Sequence, residues 1–78
     1  MPTIHREHGL RFVIYLDDHL PAHVHILGDG EAKVAIEPSV ELIWQKGFSN
    51  LDVKKALDVV NGHQVEFLLK WNLIHGET

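Results

Sequence analysis

Leu10-Arg11-Phe12-Val13-Ile14-Tyr15-Leu16 is dense in β-branched and aromatic residues and reads as a strand. Two-residue periodicity sets Phe12, Ile14 and Leu16 on one side of it and Arg11, Val13 and Tyr15 on the other. Thr3 to Arg6 is expected to pair with it through a turn containing His8-Gly9. Asp17-Asp18-His19-Leu20-Pro21 then breaks the pattern as a loop. His23 to Leu27 and Glu31 to Glu37 form the clearest hairpin, joined by Gly28-Asp29-Gly30, with Gly30 at the position that needs a positive φ. A three-residue loop sets Leu27 opposite Glu31, His25 opposite Lys33 and His23 opposite Ala35. Val24 and Ile26 then share a face with Ala32, Val34 and Ile36. A two-residue loop would mix the two faces, so the pattern itself selects the register.

Pro38-Ser39 ends that strand, and alternation over Val40 to Trp44 suggests a short fifth one. After the Lys46-Gly47 turn the period changes to that of a helix. Ser49 is placed to cap it, with Asp52 three residues on and Phe48 able to pack on Val53. The apolar stripe Val53, Leu57, Val60, Gln64, Phe67 with Leu68, Trp71 and Ile74 is helical throughout, and Asn61-Gly62 interrupts it. These elements predict an α+β fold. A small antiparallel sheet of four to five strands carries one kinked or two C-terminal helices on one face. The whole of 1–78 forms a single domain, mainly strands over 1–47 and helical over 48–76.

Composition narrows the function classes. With 45% hydrophobic residues and nine Gly plus Pro, the 78-residue chain can fold around a small core. The absence of cysteine removes disulfides, thiol catalysis and thiolate zinc sites. No apolar run reaches membrane-spanning length, and Met1-Pro2-Thr3 shows no secretory signal, so a cytoplasmic protein without a membrane partner is expected. Seven Lys+Arg against eleven Asp+Glu give a net charge of −4, unlike a general basic nucleic-acid binder. Seven histidines make that charge sensitive to mild acid.

Candidate chemistry concentrates in Asp18-His19-Leu20-Pro21-Ala22-His23-Val24-His25. His23 and His25 share one strand face, the face turned away from the helices in this register, and Lys33 emerges beside them. Three readings follow. His23, His25 and Lys33 could bind or act on phosphate as a catalytic set, with Asp18 and His19 completing the binding rim. Alternatively, His19, His23 and His25, with Asp18 as a further ligand, could hold zinc or another divalent metal, against which Lys33 would stand about 5 Å from His25 across the strand pair. The third reading gives the histidines only a half-exposed strand face. Histidine triad hydrolases carry a third alternating histidine, where this strand has Leu27.

The chain also resembles a family of bacterial proteins known as domain of unknown function 4160. The resemblance rests on Met1-Pro2-Thr3-Ile4, Gly9, Asp18-His19-x-Pro21-x-His23-x-His25, Gly30-Glu31-Ala32, Gly47-Phe48-Ser49 and Leu69-x-Trp71-Asn72. It implies a toxin-like component of a type II toxin–antitoxin pair, with a small antitoxin-like protein encoded beside it as partner. Nucleic acid or its machinery would be the target, and no cofactor follows from the resemblance. A non-enzymatic protein-binding module, with strand edges open to a partner or a second copy, is the alternative from another class. A histidine-based divalent-metal protein is the third. Whether the chain is an enzyme stays open on sequence.

Overall fold

The computed structural model describes residues 3–75. Five antiparallel strands follow one another across a single open sheet: β1 (Thr3–Glu7), β2 (Leu10–Val13), β3 (His23–Leu27), β4 (Glu31–Ala35) and β5 (Glu41–Lys46). Two helices close the chain, α1 (Asn50–Gly62) and α2 (Gln64–His75). The α+β architecture is the one the pattern predicts, with five strands and two helices.

Each turn has a local cause. β1 and β2 are joined by His8-Gly9 with φ of 57° and 73°. Two successive positive φ values suit a tight hairpin whose twist matches its strands. Between β3 and β4 the observed pairs are His23↔Ala35, Val24↔Val34, His25↔Lys33, Ile26↔Ala32 and Leu27↔Glu31, the register of a three-residue loop. Gly30 differs from expectation, because positive φ among the described glycines falls at Gly9 and Gly47 instead. Its requirement is space: a Cβ there would lie 2.4 Å from the Lys46 carbonyl oxygen.

β2 ends at Val13, three residues short of the expected strand. The Asp18 carboxylate accepts a hydrogen bond from the Tyr15 amide at 3.0 Å, and the Asp18 amide donates to the Tyr15 carbonyl at 3.2 Å. That turn takes the chain out of the ladder before Leu16, which is left 75% exposed.

Ser49 caps α1 by accepting from the Asp52 amide at 3.1 Å. Replacing this one acceptor strands a helix-end donor, so Ser49→Ala should lower stability by about 1 kcal/mol, readable in urea unfolding midpoints. The interruption at Asn61-Gly62 ends α1, and His63 donates its backbone N–H to the Val59 and Val60 carbonyls. Gln64 then reaches across to the sheet, its side-chain amide donating to the Ile36 carbonyl at 2.9 Å.

The predicted stripe faces the sheet. Val60, Phe67 and Trp71 are buried, and Val53, Leu57, Leu68 and Ile74 pack partly buried around them. They meet Phe12, Val24, Ile26 and Val34 from the sheet and Ile14 and Ile36 just past the ends of β2 and β4, all fully buried. The Phe12 and Phe67 rings stand 5.8 Å apart in a tilted pair. None of the described helices is long and apolar enough to cross a membrane.

β5 is different in kind. Every residue of it is exposed, including Leu42, Ile43 and Trp44 at 39–46%. Its register against β4 shifts between Lys33↔Trp44 and Val34↔Leu42, leaving Ile43 as an extra residue. This bulge sets Ile43 beside Trp44, at the edge nearest Lys33.

Candidate functional site

The site begins with the turn that ends β2. Asp18 lies in it with its side chain 12% exposed, and the carboxylate gathers three nitrogen neighbours at once. It accepts from the Tyr15 amide at 3.0 Å, and its Oδ1 lies 3.2 Å from His25 Nε2. Its Oδ2 stands 3.5 Å from His23 Nε2. Burial alone would raise the Asp18 carboxyl. The Tyr15 and His25 hydrogen bonds and the positive charge available on His25 and His23 outweigh burial, so its pKa lies below the ordinary value.

His23 and His25 point the same way, as their spacing requires, with ring centroids 5.1 Å apart in an edge-on arrangement. Their environments differ. His23 is 4% exposed, and the Trp71 indole of α2 lies 5.2 Å from its ring. The expectation that this face stands clear of the helices therefore fails at His23, because the Trp71 ring of α2 packs beside it. The Pro21 carbonyl lies 2.9 Å from His23 Nδ1. A carbonyl only accepts, so Nδ1 carries the hydrogen and Nε2 is the atom turned to Asp18. His25 packs against the Tyr15 ring at 4.9 Å, and its Nδ1 is buried without a partner.

Around this group opens a cleft of about 230 Å³, walled by residues 17–21, His23, Lys33 and Ile43. Four of the five sequence-derived site residues, Asp18, His19, His23 and Lys33, thus meet in one concavity. His25 is not in its wall and acts behind it, through Asp18. Lys33 makes no ion pair with a described carboxylate. Its ammonium is the one lysine or arginine charge in the cleft wall, where Asp17 likewise makes no ion pair among the described residues. His19 is exposed at the rim. Sequence reasoning missed Trp71 and Ile43 as parts of the site and gave Pro21, inside the candidate segment, no role of its own. Only Pro21 left a signal, as the residue two before His23.

A second group lies at the opposite edge of the sheet. His5 Nε2 is 2.8 Å from Glu7 Oε1, and the His5 and His63 rings are 4.4 Å apart. The His5 hydrogen bond, opposed by slight desolvation and assisted by His8, His5 and His63 as charges, holds Glu7 below its usual pKa. The i, i+2 spacing of His5 and Glu7 could have flagged this pair. The arrival of His63 from the end of α1 could not be read from it.

Among the described residues, two groups have ligand atoms close enough to share one metal ion. They are Asp18-His23-His25 and His5-Glu7-His63, and His19 belongs to neither.

The protein is thus a small α+β domain, a five-stranded meander backed by two helices, with a histidine–carboxylate cleft at the loop before β3. Its sequence matches the family described as domain of unknown function (DUF4160) over residues 9–72, and the chain belongs to that family. It matches no curated protein and no solved structure.

Proposed function

We propose that this chain is the toxin-like component of a bacterial type II toxin–antitoxin pair, acting in the cytoplasm on a phosphate-bearing ligand, nucleic acid or part of its machinery. The observation that carries the site is the meeting of Lys33, free of any ion pair among the described residues, with His19 and His23 in one cleft. An unpaired ammonium attracts an anion, and the exposed His19 imidazole at the rim can add a hydrogen bond to its oxygens. Asp18 and the Pro21 carbonyl hold His23 in one orientation, so that wall of the cleft is preorganised. The toxin assignment itself rests on the family resemblance.

Exposed β5 supports the partner half of the reading. Its Leu42, Ile43 and Trp44 form an apolar edge beside the cleft, suited to strand addition by a small antitoxin-like protein. A partner there would cover Ile43 and with it one wall of the cleft. The same edge favours the alternative of a binding module without catalysis.

Growth of a bacterial culture expressing the chain, alone and with its neighbouring gene, tests the reading. Arrest relieved by the neighbour is expected, and Lys33→Ala should abolish arrest while the circular dichroism spectrum stays unchanged. Arrest that survives Lys33→Ala would remove the cleft from the mechanism. Normal growth in both cultures would overturn the toxin assignment and leave the binding module.

A further inference from the structure

We infer that Asp18, His23 and His25 form a divalent-metal site of the zinc type, three protein ligands with an open position toward the Lys33 cleft. This deepens the phosphate reading, on which it rests only for what would fill the open position. The ligand set needs no such support.

Three observations carry it. The first is spacing. Ligands about 2.1 Å from a tetrahedral ion lie about 3.4 Å from one another. Asp18 stands 3.2 Å from His25 Nε2 through one oxygen and 3.5 Å from His23 Nε2 through the other. All three candidate ligand atoms fall within 4.8 Å of one another, so closing on an ion takes only small side-chain rotations.

The second is the state of His23. The Pro21 carbonyl fixes the hydrogen on Nδ1, as a backbone carbonyl commonly does behind a metal-bound imidazole. Its other nitrogen, Nε2, is thereby aimed at a carboxylate oxygen 3.5 Å away, in a place that is 4% exposed at His23 and 12% at Asp18. A divalent ion placed there engages both imidazoles and the carboxylate with little rearrangement of His23.

The third is the shape of what remains. Two imidazoles and one carboxylate leave the ion at a net charge of +1, with at least one position for water or substrate. The cleft lies on that side, since Asp18 and His23 are in its wall. Lys33 contributes a second positive charge there. On sequence alone Lys33 opposes a metal. In the cleft it instead complements the anion that an open metal position attracts, and ion and ammonium together select a phosphate oxygen. His23 and His25 then serve as ligands, and proton transfer falls to a metal-bound water or to His19 at the rim.

The His5-Glu7-His63 group makes the competing prediction. There His5 and Glu7 already satisfy each other at 2.8 Å, closer than the spacing around an ion. It serves as the internal control.

The test is isothermal titration of untagged, chelator-treated full-length protein with zinc chloride, and cobalt(II) chloride as a spectroscopic probe. One ion per chain is expected, with a visible cobalt spectrum of four-coordinate nitrogen–oxygen type and a raised melting temperature. Asp18→Asn and His25→Ala should weaken binding at least tenfold, while His19→Ala and His63→Ala leave it unchanged. Should the first two variants fail to fold, wild-type stoichiometry and the His63→Ala titration decide. No binding by wild type, or binding lost in His63→Ala, overturns the site. Absence of metal with Lys33-dependent growth arrest would sink this inference and spare the toxin reading. Metal binding without arrest would do the reverse.

Discussion

Gly30→Ala should destabilise the protein by about 3 kcal/mol or more, enough to lower the melting temperature by over about 12 °C in a domain of this size. The added Cβ would lie 2.4 Å from the Lys46 carbonyl oxygen, 2.7 Å from the Gly47 carbonyl carbon and 2.7 Å from the Phe48 amide nitrogen. All three are backbone atoms, so no rotamer change relieves the overlap. Relief requires moving the β5–α1 connection, which carries Gly47 at φ 86° and the Phe48 amide bonded to the Gln45 side chain. Phe48 itself is buried in the core, so displacement spreads to α1. Gly62→Ala is the matched control. A Cβ at Gly62 would meet nothing within 4 Å, and the residue closes a helix, so a gain of about 0.5–1 kcal/mol is expected. Equal and small effects for both substitutions in thermal melts would refute the close approach at Gly30.

Asp18→Ala should be nearly as damaging, at about 2–3 kcal/mol, because one side chain satisfies the Tyr15 amide and faces two imidazoles in a little-exposed place. Asp18→Asn should cost less, since an amide oxygen can still accept from Tyr15. The sign of the pH dependence follows from the lowered Asp18 pKa. The folded state holds this carboxyl ionised more strongly than the unfolded chain does. Its contribution is therefore complete above the unfolded value of about 3.9 and is lost as pH falls through the lower folded value. Wild type should lose stability over that acid range, and Asp18→Asn should lose less. Chemical denaturation of metal-free protein, followed from about pH 6 downward, measures it. Parallel pH profiles for the two proteins would remove Asp18 from the acid response.

How much of the site was legible can be followed residue by residue. Alternation alone placed His23 and His25 together and His25 opposite Lys33, because strand geometry is periodic and the register was tied to burying Val24 and Ile26. Asp18 and His19 were legible as neighbours of that strand, but not their separation into a buried hub and an exposed rim. That division depends on the Tyr15–Asp18 turn, whose hydrogen bonds form only when β2 stops at Val13. Ile43 was hidden by a bulge, which shifts a strand by one residue without a mark in the local pattern.

Sequence by itself determined the α+β class, the three-residue hairpin register, the capped helix start at Ser49 and the break after Asn61-Gly62. All follow from short-range geometry: periodicity, turn chemistry and capping involve residues close along the chain. Tertiary structure decided that Trp71 covers His23, that Lys46-Gly47-Phe48 crowds Gly30, and that His63 meets His5. These contacts join residues distant in sequence, and they are set by how the helices pack over the sheet, a balance of many burials at once that no local pattern encodes.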